Sequence, residues 1–196
     1  MLRRDAAALV VIDIQEVLLP KDPEVVERYL GHCALMIRAA RTLGLPVLVT
    51  EQNPERLGGT HPKIAPEIEG IPRIPKMEFG CFGNDRFAGE LALTARKQLL
   101  LIGMESHVCV CQTALAGLEA GYEIYPVRDA IVASTREGYK AGMERMTLAG
   151  AQPVTAHMAI FELLGRAGTP DRARSCGETR PPARAQRARH PCPHGG

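Results

Sequence analysis

The chain has 196 residues and a mass of 21.3 kDa, with 45% hydrophobic and 23% charged residues and a formal net charge of +2. That size and balance suit one globular domain with its own core and leave no apolar run near the ~20 residues that span a bilayer. Aromatic residues make up only 4% and tryptophan is missing, so the core must be aliphatic and a base-stacking nucleic-acid platform is disfavoured.

Residues Ala7 to Asp13 form a continuous apolar run that ends in an acid, the pattern of a strand buried on both faces. Asp22-Pro23 has the chemistry of a helix start, and the apolar residues Val25, Val26, Leu30, Leu35, Ile37 and Ala40 carry that helix to Leu43, where Gly44 stops it. Pro46 to Thr50 is a second strand. Residues 51 to 75 are rich in Pro and Gly and read as a long loop with one short helical turn, a length that points to function. Ile71 to Ile74 is a weak third strand, followed by Lys76 and a glycine-containing loop. Asn84 or Asp85 caps a helix through Leu93. Gln98 to Gly103 is the clearest buried strand, and Ser106 is placed to cap the helix that runs to about Ala120.

Tyr122 to Val127 is a further strand. Ser134 and Glu137 have capping-box spacing ahead of a helix to about Ala149. Pro153 to Thr155 is a last short strand and Met158 to Leu164 a last helix. The alternation predicts a three-layer α/β/α domain with a parallel, Rossmann-like sheet of about six strands and right-handed crossovers. In such sheets ligands lie beyond the carboxyl ends of the strands.

The charge is unevenly spread. From Arg166 to Gly196 seven arginines and five prolines stand against two acids. That segment carries +5 and leaves −3 on residues 1–165. With little to anchor a core, residues 166–196 are expected to be a disordered basic Arg/Pro-rich tail and residues 1–165 the domain. A basic tail can touch nucleic acid or acidic surfaces, but a solvated terminus is the simpler reading. The N-terminus lacks an apolar leader before its first strand, and the cysteines at 33, 81, 109, 111, 176 and 192 show no metal or disulfide spacing. A cytoplasmic chain with reduced thiols is expected.

Three reactive side chains follow strands: Asp13, Lys76 and Cys109. Cys109 falls in the first turn of a helix, where free amides and the helix dipole favour a thiolate; a buried small hydrophobe is the plainer alternative. A buried Asp13 needs a partner, and Lys76, in an apolar loop, is a candidate cation for it. Glu51 and Gln52 follow the second strand and can line a pocket that Phe79 and Phe82 would wall. A solvated strand end and core filling are the respective alternatives.

Taken together, these residues resemble the isochorismatase-like cysteine hydrolase superfamily. The resemblance rests on Leu9 to Gln15, Pro75-Lys76 with Phe79, Gly103 to Val110, Thr113-Ala114, and Gly121-Tyr122 with Val127 and Asp129-Ala130. Thr50 to Pro54 with Leu57-Gly58 and Thr60 is similar to the isochorismatase-domain-containing subgroup. The resemblance implies a catalytic set of Asp13 as general base, Lys76 as charge stabiliser and Cys109 as nucleophile, acting on an amide, imide or related C–N or ester bond through a thioester. It further implies an oxyanion hole from backbone amides of Glu105 and Cys109, a cis peptide at Met104-Glu105, and substrate contacts from Gln15, Glu51, Gln52, Phe79 and Phe82.

Where metal-binding members carry Asp-x-His, this chain reads Glu51-Gln52-Asn53 with only His61 nearby. That is too few ligands for Zn²⁺, so no metal and no other cofactor is expected. The partners expected are a small-molecule substrate and further copies of the chain in a homo-oligomer, with neither membrane nor nucleic acid. A catalytically silent binding protein on the same fold and a redox-active thiol protein are the competing readings.

Overall fold

The computed structural model describes residues 1–167, so the expected tail from residue 168 onward lies outside the described residues. Five parallel strands, β1 (Ala7–Ile12), β2 (Val47–Gln52), β3 (Arg73–Lys76), β4 (Gln98–Gly103) and β5 (Glu123–Ile131), form one sheet in the order β3-β2-β1-β4-β5. β1 and β4 are buried at every position. Along β1, Leu9 and Val11 point into one core while Ala8, Val10 and Ile12 point into the other. Along β4, Leu100 and Ile102 join the first core and Leu99 and Leu101 the second. An unbroken apolar run with period-two alternation between two cores is what a central parallel strand requires.

Helices α1 (Pro23–Leu43) and α6 (Ala156–Leu164) cover the first face. Helices α3 (Asp85–Leu93), α4 (Cys111–Glu119) and α5 (Arg136–Leu148) cover the second. The α1 boundaries follow local chemistry. The Asp22 side chain accepts from the amides of Glu24 and Val25 with Pro23 behind it, and Gly44 ends the helix at φ +70°. A short α2 (Pro54–Leu57) and a 3-10 turn at Ala65–Ile68 occupy the long loop after β2. Among the described residues no helix is long and apolar enough to cross a membrane.

Several expectations are corrected. The predicted sixth strand shrinks to one bridge between Val127 and Val154, because Pro153 offers no amide and α6 begins at Ala156. The third strand lies later than Ile71–Ile74, at Arg73–Lys76. Ser106 does not cap a helix: a π-type turn spans Ser106–Val110, and the Ser106 hydroxyl donates to Tyr139 O. The N-cap of α5 is Thr135, which accepts from Gly138 N, while Ser134 turns to Glu105.

Two glycines are needed for close approach. Gly103 sits at φ +124°, and a Cβ there would fall 2.0 Å from Ile12 O. A Cβ at Gly142 would come 2.6 Å from Ser106 O, so α5 can lie against the π turn only because that position is bare. Gly103→Ala combines a forbidden backbone with a backbone clash and is expected to cost on the order of 3 kcal/mol or more. Urea unfolding of the variant beside the parent chain measures it.

Candidate active site

β1 is flanked by β2 and β4, and the chain reverses its direction of travel across the sheet there; the crevice beyond such a switch point is where α/β sheets bind ligands. Asp13 leaves β1 with φ +50°, a left-handed conformation that aspartate tolerates better than most residues. The turn is held by Asp13 N donating to Thr50 O at 3.2 Å and by Asp13 O accepting from Gln15 N at 2.8 Å. The carboxylate is fully buried. Thr50 Oγ1 donates to Asp13 Oδ1 at 2.8 Å, and Lys76 Nζ lies 2.7 Å from Oδ2.

Lys76 reaches this point from an edge strand. β3 is two strands away from β1, roughly 10 Å at the spacing of neighbouring strands, and only a long side chain bridges that gap. Its ammonium also donates to Gln52 Oε1 at 2.6 Å and to the carbonyls of Glu78 and Phe79, both at 3.0 Å. Both side chains of the Asp13–Lys76 pair have no solvent exposure. The ion pair is not aligned as a hydrogen bond, and Asp13 Oδ2 accepts none from another group.

Cys109 is placed by the π turn that precedes α4. It is 5% exposed. Thr113 Oγ1 donates to Cys109 O at 2.6 Å and accepts from Cys81 N at 3.0 Å. The thiol is close enough to Asp13 to feel its charge. The structure thus gathers Asp13, Lys76 and Cys109 into one buried cluster. It does not hold Cys109 as a thiolate. Burial, and then the Asp13 charge, push the thiol up from 9.0 to about 12, against smaller downward pulls from Lys76 and the Glu105 backbone. The expected helix-start stabilisation is outweighed because the thiol is almost sealed from water and faces an anion. The Met104–Glu105 peptide is cis, and the Glu105 amide is among the groups that act on the thiol.

The expected substrate contacts fare differently. Gln15 is buried with every polar atom engaged: Nε2 donates to Gln52 O at 2.9 Å and Gly58 O at 2.6 Å, and Oε1 accepts from Gln52 N at 2.8 Å. Gln52 spends its side chain on Lys76 and Met77 O. Glu51 Oε1 accepts from Thr60 N and Oγ1 at 2.8 and 2.7 Å and lies 3.7 Å from Arg73 Nε. These three side chains therefore fasten the loop and the lysine. Phe82 packs on Phe87 and Tyr122, with ring centroids 5.6 and 5.5 Å away, which is core filling. Phe79 is 55% exposed and contributes its carbonyl rather than its ring to the cluster.

Thr50, Thr113 and Cys81 belong to the cluster without having been singled out as site residues. Thr50 pairs in register with Ile12, the last residue of β1, so a polar side chain following the apolar half of β2 was the available signal. Thr113 stands four residues after Cys109, the spacing at which a helical hydroxyl bonds a carbonyl. Cys81 Sγ is 3.9 Å from Thr50 Oγ1, and burial raises its thiol to about 11. Among the described residues no three His, Cys, Asp or Glu side chains cluster as metal ligands. His61 Nδ1 instead accepts from Lys63 N.

An open α/β sheet with ionisable groups buried at its switch-point edge is an enzyme architecture. The chain belongs to the isochorismatase family of hydrolases: the Isochorismatase domain model matches residues 7–158. It is 36% identical over 176 residues to the secreted isochorismatase effector Isc1 of Phytophthora sojae, covering 85% of this chain and 80% of that one. The structure of the MAR1 ribonuclease from Caenorhabditis elegans superposes with a TM-score of 0.75 at 31% identity over 86% of each chain. YcaC from Pseudomonas aeruginosa, solved with hexane-2,5-diol and covalent acrylamide, gives 0.76 at 26% identity over 84% of this chain and 83% of its own. The octameric YcaC hydrolase of Escherichia coli, at 23% identity over 84% and 82%, shares the fold with the same TM-score.

Two outcomes follow from this geometry. Lys76→Met leaves a buried carboxylate unpaired and is expected to lower the unfolding free energy by about 3–5 kcal/mol, while Asp13→Asn combined with it costs less than the two single changes together. Denaturant titration of the three variants checks this. The raised Cys109 thiol also has a pH signature. Between about 9 and 12 the folded chain holds a proton that the unfolded chain has lost, so this contribution is present below pH 9 and fades as pH rises. The stability difference between the parent chain and Cys109→Ala is expected to shrink from pH 9 to 11 in unfolding titrations.

Proposed function

We propose that the chain hydrolyses a small molecule with an amide, imide or related C–N or ester bond, using Cys109 as nucleophile, Asp13 as base and Lys76 as the fixed counter-charge. The observation that carries this reading is the buried approach of the three groups: Lys76 Nζ lies 2.7 Å from Asp13 Oδ2, and the Asp13 charge acts on the 5% exposed Cys109. Asp13 takes the proton from the Cys109 thiol as sulfur bonds to the carbonyl carbon. The proton passes to the departing nitrogen or oxygen as the C–N or C–O bond breaks, leaving a thioester. Asp13 then takes a proton from water, whose oxygen displaces sulfur, and the thiol is restored as the acid leaves.

The high resting position of the thiol agrees with this route. Ionisation into solvent would set a thiolate beside a carboxylate. Burial is the larger cause of that high position and the Asp13 charge the second; transfer to Asp13 cancels the second, and the negative charge moves along the lysine. Lys76 stays paired throughout, so the step requires no reorganisation of the cation. Backbone amides of Glu105 and Cys109 are the donors proposed for the developing oxyanion. The covalent acrylamide on Pseudomonas YcaC is the kind of adduct a nucleophilic side chain forms. The octamer of the Escherichia coli protein supports self-association here as well.

Screening small amides, imides and esters for product release, with an RNA oligonucleotide as control because one relative is named a ribonuclease, tests the reading. On the substrate found, Cys109→Ala and Asp13→Asn are each expected to lose about a thousandfold or more in kcat while circular dichroism stays unchanged. Retained turnover in Cys109→Ala would overturn the nucleophile assignment.

A further inference from the structure

A cleft of about 480 Å³ lies beside the C-terminal end of β5, and the proposed chemistry leaves it unused. Pro20, Val25, Ile131, Val132, Ala133 and Tyr139 form its apolar part. Its wall is tied to the segment next to Cys109. Val132 N donates to Gly103 O at 3.3 Å, Ser106 N donates to Val132 O at 2.9 Å, and Ser134 N donates to Glu105 Oε2 at 2.9 Å. The cleft therefore adjoins the residue whose backbone amide acts on the Cys109 thiol.

The polar groups on the rim are engaged, with one exception. Asp22 Oδ1 accepts from two amides of α1, Ser134 Oγ donates to Glu105, Thr135 Oγ1 accepts from Gly138 N, and Tyr139 Oη donates to Arg128 O. Arg136, an exposed residue, lines the same cleft, and among the described residues its side chain forms neither a hydrogen bond nor an ion pair. An apolar cavity of this size with one convergent polar group suits a small organic ligand, and a free guanidinium selects an anion with two oxygens. One cation, with the Asp22 carboxylate on the same rim, matches a monoanion better than a phosphate dianion.

We propose that this cleft holds the non-reacting end of the substrate, and that this end is an apolar group terminating in a carboxylate paired with Arg136. That the bound molecule is the substrate rests on the hydrolase reading; binding in the cleft does not. Isothermal titration of the full chain with 4-phenylbutyrate and with the neutral 4-phenyl-1-butanol tests it. The acid is expected to bind about tenfold or more tighter than the alcohol. Arg136→Gln should abolish that difference, Arg136→Lys should keep part of it, and Ala133→Leu, which fills the cleft, should weaken both ligands. Equal binding of acid and alcohol, an Arg136→Gln chain indistinguishable from the parent, or no binding of the acid would overturn the proposal. Cys109→Ala should bind the acid as the parent does, because Cys109 does not line the cleft; loss of binding there overturns the placement. Failure of the covalent chemistry thus reads out in turnover, and failure of the cleft in the titrations.

Discussion

The fully buried ion pair between Asp13 and Lys76 is the constraint around which the rest of the sheet edge is arranged. Two charges removed from water each cost several kcal/mol unless their remaining hydrogen-bonding capacity is met. That need accounts for side chains that would otherwise look scattered. Thr50 supplies a hydroxyl to one carboxylate oxygen, and Gln52 with two carbonyls of the loop after β3 surrounds the ammonium. Gln15 clamps the backbone of Gln52 and so holds it under the lysine. The pair draws on the ends of β1, β2 and β3 at once, and this ties the loops after β1 and β2 to the same edge.

The thiol is governed by the same pair in a different sense. Its position is set by a π turn and by Thr113, and its protonation by burial first and then by the carboxylate beside it. A helix start alone would favour the anion; here a second negative charge in a dry site wins. The consequence is a cluster that holds a single negative charge in either protonation state, shared between an oxygen and a sulfur under one cation.

Much of this organisation was legible in the residues. The double-faced burial of β1 and β4 shows as unbroken apolar runs, and the limits of α1 follow from Asp22-Pro23 and Gly44, because caps and buried strands are local devices. The juxtaposition of Asp13, Lys76 and Cys109 was legible only through their positions at strand ends combined with the family resemblance. What could not be read was how side chains spend their hydrogen bonds. Gln15, Glu51 and Gln52 stand where a pocket lining is expected, yet Thr60, Arg73, Gly58 and Lys76 occupy them, partners fixed by loop packing rather than by spacing. The sixth strand failed for a local reason that was visible, Pro153. The π turn that displaced the Ser106 cap depends on a distant bare position, Gly142, against which the turn packs.

β3 bears on how copies of this chain can meet. It is the edge of the sheet and only four residues long, with Pro75 inside it and Pro72 just before it. An edge interrupted by a residue without an amide cannot template a neighbouring strand. The sheet is therefore capped on that side, and molecules assembling around this edge have to meet through helices and loops instead of extending one continuous ribbon.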